Sequence, residues 1–390
     1  AAWQLRHRPG RETVLRVGGG LFYDTGIAEA SSQPWVSGYP SGQATVLLNS
    51  SLPVSPLQVR LPAVNLSQPA PGNLFFMFPA DFRAPRVWEW NIAIQQALSS
   101  NETLTIAYAG SAGRKLLYVV SYPIVTANIY TVTYSDNSGT SDHNGLQIQY
   151  ERRFSHHLTA SAGYTWSHSI DTNSSDTMAS VPGVFEPPSS NRGDADFDIR
   201  QALHGGFSFN IPAVPGAGWV RAVTGGWGLD GIVTAQTGLP IDVTFKRNIG
   251  FGSYAFRSDL VTGVPMWLDN PNVAGGRQLN PAALVVPASA VQGTLGRNAL
   301  RGFPLVQTDL SVRRSFRILE KVDLVVRGDL FNAANHPNFA NPVPTPGSGL
   351  FGISTATVAN SQVGGGAFGL NSIFNIGGPR AVQLSLKLEF

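Results

Sequence analysis

The residues best spaced for chemistry lie in "NRGDADFDIR", residues 191–200. Asp194, Asp196 and Asp198 alternate between Arg192 and Arg200, and carboxylates at such a spacing could hold a divalent cation such as Ca²⁺. The residues that follow lack the glycine and the bidentate Glu of a calcium-binding helix–loop–helix. The expectation is therefore a solvated stretch whose aspartates pair with Arg192 and Arg200. Neighbouring His156 and His157 point to opposite faces if the chain is extended, so they cannot share a metal and read as a polar turn. The seven histidines are scattered, and no H-E-x-x-H spacing occurs. The chain has no Cys, which removes thiolate ligands, thiol nucleophiles and disulfides together. "GGGAFG" (Gly364 to Gly369) lacks the flanking strand and helix of a phosphate or dinucleotide loop, and no G-x-S-x-G is present. These residues predict no enzyme, no metal site and no cofactor.

Composition narrows the partners. Charged residues make up 13% of the 390, about half the usual share, and the formal net charge is +3. The arginines are spread along the chain without a basic run, so nucleic acid is not an expected partner. Gly (42) and Pro (27) are both abundant. No stretch has the roughly 18 uninterrupted apolar residues of a membrane helix. The chain starts at "AAWQLRHRPG", without an initiator Met or a signal peptide, which leads us to expect a processed start or the tail of a longer protein.

The chemistry-bearing residues must be positioned by strands, because the apolar period is two. In the closing "AVQLSLKLEF", Val382, Leu384, Leu386, Leu388 and Phe390 alternate with Gln383, Ser385, Lys387 and Glu389. The same alternation appears in five hairpins: about 1–8 with 13–24, 88–98 with 103–112, 144–154 with 158–167, 199–211 with 220–236, and 305–317 with 322–332. That makes about eleven strands, each near the length that crosses a bilayer at a tilt. Their connections alternate strictly. Those near 9–12, 99–102, 155–157, 212–219 and 318–320 are short, whereas 25–85, 113–143, 170–198, 237–304 and 333–378 are long and rich in Gly, Pro, Asn and Ser. Short turns on one side and long loops on the other are the habit of outer-membrane barrels. Tyr23, Trp88, Trp90, Tyr108, Tyr164 and Trp166 sit at the long-loop ends, as an aromatic girdle would.

Polar residues can be placed on this scheme. Asp309, Arg313, Asp323, Arg327 and Asp329 face inward, where they could hold charge pairs across the lumen or simply wet its wall. Arg152, Arg153, Arg313, Arg314 and Arg317 gather beside short turns, suited to lipid headgroups, a periplasmic partner or snorkelling at the membrane edge. Ligand contact, if it occurs, belongs to the long loops, where Trp35, Tyr39, Tyr254, Phe256 and Trp267 could stack on a sugar or grip a chelate.

Five blocks carry a family resemblance: "VWEWNIAIQQALSSNETLTIAYAGSAGRKL", "LQIQYERRFSHHLTASAGYTWSHSID", "NRGDADFDIRQALHGGFSFNIP", "DLFNAANHPNFANP" and "LSLKLEF". Together, in order and across nearly the whole chain, they resemble the C-terminal barrel of TonB-dependent outer-membrane receptors of the Oar-like, carboxypeptidase-regulatory type found in acidobacteria. The resemblance implies that residues 1–390 form the C-terminal half, about eleven antiparallel strands, of a 22-stranded transmembrane β-barrel. The N-terminal plug, the TonB box and the first half of the barrel would then lie elsewhere. It also implies uptake of a scarce large ligand such as a siderophore, glycan or peptide, with outer-membrane lipid, the missing half and plug, and the TonB complex as partners. The terminal positions Val382, Leu384, Leu386, Leu388 and Phe390 resemble the signal read by the outer-membrane assembly machinery. The chain departs from the family at Gln201 and Ala202 and at Ala333 and Ala334. Two other readings stay open: an outer-membrane structural or adhesion barrel that imports nothing, and a secreted soluble all-β binding module.

Overall fold

A computed structural model describes residues 1–24, 53, 55, 73–126, 129–174, 188–249, 252–319, 322–358 and 377–389. Trp35, Tyr39 and Phe390 lie outside the described residues. The alternating segments form one antiparallel sheet whose main path holds eleven strands in chain order. They are β1 (Ala2–Arg6), β2 (Thr13–Tyr23), β3 (Arg86–Ser99), β4 (Glu102–Thr126), β5 (Ile129–Ser155), β6 (Leu158–Asp171), β7 (Gln201–Asn210), β8 (Trp227–Gln236), β9 (Leu305–Leu319), β10 (Val322–Phe331) and β11 (Ala381–Glu389). Each strand pairs with its neighbours in sequence, and β1 and β11 are the two edges of the path.

Register converts the alternation into two faces, because directly opposed residues share a side. Leu104, Ile106 and Tyr108 of β4 oppose Tyr150, Ile148 and Leu146 of β5, and the last two oppose Tyr164 and Trp166 of β6. The apolar row continues through Ile92 and Ile94 to Val17 and Leu15 on one side. On the far side, Leu324, Val326 and Leu330 oppose Leu388, Leu386 and Val382. Among the described residues nothing covers this face: Leu384 is 82% exposed and Leu386 74%. The opposite face carries Gln147, Gln149, Ser161, Thr165, His204, Thr234, Ser311 and Arg313. All six girdle aromatics lie on the apolar face, and glycine makes room for one of them. A Cβ at Gly110 would stand 2.5 Å from the indole of its cross-strand partner Trp90. The β5–β6 turn needs only two residues, His156 (φ 47°) and His157 (φ 65°). Both sit in the left-handed region, as tight hairpins of matching twist require.

Three expectations about the connections are corrected. Residues 113–143 are not a loop: β4 and β5 run on as a tall hairpin of 25 and 27 residues. Bulges near Arg114, Leu116 and Tyr118 break the alternation there. The short strand Asn73–Met77, in a stretch read as loop, pairs in parallel with β5 from Ile129 to Tyr134. Residues 220–226 are not strand either. A short helix, α1 (Gly218–Thr224), ends at Gly225, and β8 begins only at Trp227. No helix among the described residues is long and apolar enough to cross a membrane.

The connection 237–304 folds on itself through two-stranded ribbons, such as Thr244–Ile249 with Gly252–Arg257 and Trp267–Asp269 with Arg277–Leu279. Its core is Ile241, Val243, Leu279 and Leu295, joined by Phe351 from the next long connection. This cap sits at the long-loop ends of β6 to β9.

Candidate functional site

The "DADFD" aspartates meet two arginines that lie about a hundred residues later in the chain. Backbone pairing of Gly193 and Asp194 with Asp171 and Ile170 of β6 fixes the first segment. Pairing of Pro240–Ile241 with Leu300–Arg301 fixes the second. Asp194 accepts from Arg200 at 2.9 Å, lies 2.9 Å from His168 Nε2, and pairs also with Arg301. Asp198 is 1% exposed; it accepts from Arg200 at 2.9 Å and from the Ser169 amide at 2.5 Å, and pairs with Arg301. Arg297 bridges Asp171 at 2.5 Å and Asp196 at 3.0 Å. Asn298, held at φ 53°, donates to Asp196 at 2.7 Å.

The arrangement is a clasp between the β6–β7 connection and the cap. Arg200 pairs as its position in the sequence implied. Arg192 does not: it reaches Asp142 at 2.5 Å instead. The stretch is solvated only in part: Asp198 is buried and Asp194 half-buried, whereas Asp196 and Phe197 stay exposed. His168, Asp194 and Asp198 bring ligand atoms within 4.8 Å of one another, a spacing a metal would accept. Arg200 and Arg301 already occupy both carboxylates, so a dication would have to displace guanidinium groups. Burial alone would raise the pKa of Asp194, but bonds from His168, Arg200 and Arg301 outweigh it and hold the value below normal. Arg297 is likewise held above its ordinary value, because Asp171 and Asp196 more than offset burial.

Beside the clasp is a polar cavity of about 320 Å³ lined by Asn173, Asn191, Asp196, Asp242, Arg257 and Arg297, among others. Arg257 donates to Asn191 at 2.8 Å. Asp242 Oδ1 is buried with no hydrogen-bond partner among the described residues. Burial raises its pKa against the pull of Arg257. Residue spacing gave no sign of this cavity, because its walls come from two separate connections, 172–200 and 237–304.

The loop aromatics are placed as follows. Phe256 is 0% exposed and stacks on Phe245 at 6.0 Å, with half-buried Tyr254 packed against the pair. Trp267 is half-buried, edge-on to Phe303, with the Arg277 guanidinium 4.2 Å from its ring centre. The five inward candidates all lie on the polar face. Arg313 donates to Asp230 at 3.0 Å and Asn210 at 2.7 Å, Arg327 to Asp329 at 2.7 Å, and Asp323 stands 3.6 Å from Arg317. Asp309 accepts from Gln307 at 2.9 Å and the Asn332 amide at 2.7 Å. Of the turn arginines, Arg152 pairs with Glu102 at 3.1 Å. Arg314 lies over Trp227 and Phe316 on the apolar side.

A family model described as outer membrane beta barrel domain matches residues 1–368. No curated protein matches the chain. Among solved structures, the outer membrane transporter YddB from Escherichia coli is similar at 9% identity and a TM-score of 0.51, over 97% of this chain and 38% of that one. The ferric-catecholate import receptor Fiu from E. coli K12 aligns at 8% identity and a TM-score of 0.43, over 97% of this chain and 34% of its own. The likeness of fold rests on the first of these. The chain spans little more than a third of either protein's length.

Proposed function

The chain belongs to the family of outer-membrane β-barrel domains, and from that premise we propose that it is the translocation wall and outer recognition surface of a TonB-dependent uptake receptor. Its apolar face meets outer-membrane lipid. The observation that carries the proposal is the pairing of that face with a polar inner wall, under a folded cap that holds a polar cavity at the long-loop end. A barrier barrel needs the first of these features; selective import needs the others as well.

The finer reading is the Oar-like, carboxypeptidase-regulatory type, with these eleven strands as the C-terminal half of a 22-stranded wall. Unpaired strand edges in lipid leave backbone groups unsatisfied, which supports neighbours for β1 and β11 from another part of the receptor. In this reading Asp309, Arg313, Asp323, Arg327 and Asp329 face the plug, and Val382, Leu384, Leu386, Leu388 and Phe390 serve assembly. Ligand contact falls to the loop surface, with Trp35, Tyr39, Tyr254 and Trp267 as candidates and Phe256 as the support beneath Tyr254. The solute is a siderophore, glycan or peptide.

Cells carrying the intact receptor, with and without functional TonB, would be offered labelled ferric chelates, oligosaccharides and peptides. Accumulation of one class that needs both receptor and TonB is expected. Surface binding without accumulation would favour the adhesion reading, and accumulation indifferent to TonB would end the proposal.

A further inference from the structure

Three arginines gather on the lipid side of the sheet, one step beyond the aromatic girdle. Arg86, the first residue of β3, directly opposes Arg114 of β4 and has Tyr23 of β2 on its other side. Alternation places Arg86 on the face of Trp88, and its guanidinium carbon lies 4.8 Å from that ring centre. Arg114 shares the face of Ala112 and pairs with Asp142 at 2.7 Å. Arg192 comes over from the β6–β7 connection to the other oxygen of Asp142 and to Thr140 Oγ1 at 2.9 Å.

The charges do not balance. Three guanidinium groups face one carboxylate, which leaves two positive charges over. The Arg86 side chain has neither a hydrogen bond nor an ion pair among the described residues, and its Nε is buried without a partner there. Like charges placed directly opposite each other across two strands repel, so this pair is unfavourable unless an anion joins it.

Height identifies the anion. Below the arginines the outward positions of β4 are Ala112, Gly110, Tyr108, Ile106 and Leu104, and the row ends at Glu102, paired with Arg152. Twelve residues at roughly 3.4 Å each, tilted by about 40°, rise about 30 Å. The two charged rims therefore stand one bilayer core apart, with the arginines in the headgroup layer on the long-loop side. We propose that Arg86, Arg114 and Arg192 form a docking site for the phosphomonoester of a phosphorylated lipid in that leaflet, its acyl chains lying along Trp88, Trp90 and Ile92. The phosphate supplies the missing negative charge and accepts bonds from a guanidinium fork, while the apolar row takes the tails.

The test uses the intact receptor in detergent, observed by native mass spectrometry with bisphosphorylated lipid A or the same glycolipid stripped of its phosphates. The wild type is expected to retain the phosphorylated form preferentially. Arg86→Gln should weaken that retention about tenfold, the worth of one charge-assisted contact. Because the Arg86 side chain makes no hydrogen bond among the described residues, this variant is expected to keep its fold. Arg16→Gln, on the polar face of β2, should retain lipid like the wild type. Equal retention of both glycolipids, or retention unchanged in Arg86→Gln, would overturn the proposal. So would displacement of the lipid by excess inorganic phosphate, which would show a site for free anions.

Discussion

Arg297 and Asp171 show how much rests on single side chains here. Both are nearly out of solvent, and removing one partner of a buried ion pair leaves the other uncompensated. Arg297→Ala should therefore cost about 3–5 kcal/mol, felt as opening of the cap. The check is a faster rate of proteolytic cleavage within 237–304 in the intact receptor. The clasp and the cavity respond oppositely to acid. Asp194 has a lowered pKa, so its contribution is complete above the unfolded value of about 3.9 and lost as pH falls through the lower folded one. The clasp's share of protease resistance, read in the Asp242→Asn background, should be flat from neutral to about pH 4 and fall below it. Asp242 has a raised pKa, so its ionised form costs stability at neutral pH, a cost relieved only as pH falls through the raised value. Asp242→Asn should make the cap more resistant at pH 7, and a drop in resistance would contradict this account. Sequence revealed only part of this chemistry. The bond from Arg200 to Asp194 spans six residues and could be read locally, whereas Arg297 and Asp171 stand 126 positions apart. No spacing rule links such residues; only the sheet and the cap bring them together.

Strands were the most readable elements, because one wetted and one greasy side leave a period of two in the residues themselves. The test of that reading is a pair of neighbours on β11. Leu386→Arg should destabilise insertion by about 2–4 kcal/mol, while Ser385→Arg, on the polar side, should be close to neutral. Urea titration of the intact receptor in phosphatidylcholine vesicles measures both. Equal costs would mean that the two faces are not distinct. Gly110→Val should cost about 1–3 kcal/mol in the same titration by pushing the Trp90 indole aside. The upper parts of β4 and β5 were unreadable for a physical reason. "SDNSGTSDHN" is polar on both sides, and its partner "LLYVV" is apolar on both. Tyr118 and Val119 are buried, as are Thr133 and Ser135, in a region where Asn73–Met77 also pairs. Where both faces have the same surroundings, no alternation can mark the strand.

At the scale of the whole molecule the sheet is defined by its two edges. If strands from elsewhere in the receptor complete the wall, the amides of β1 and β11 should exchange with deuterium as slowly as those of the central strands. Exchange of either edge within seconds would show an open sheet. Height is the other property of the whole. The β4–β5 ribbon, of 25 and 27 residues, is more than twice as long as a crossing needs. At about 3.3 Å per residue and a tilt near 40° it rises roughly 60 Å, of which the apolar band takes about 25 Å. The remainder is a mast standing on the long-loop side, well clear of the membrane plane. Among the described residues that mast is what a large body drifting toward the cell, whether an antibody or a phage tail fibre, would meet well before the membrane, so the ribbon offers a point of contact that lipid and short turns do not.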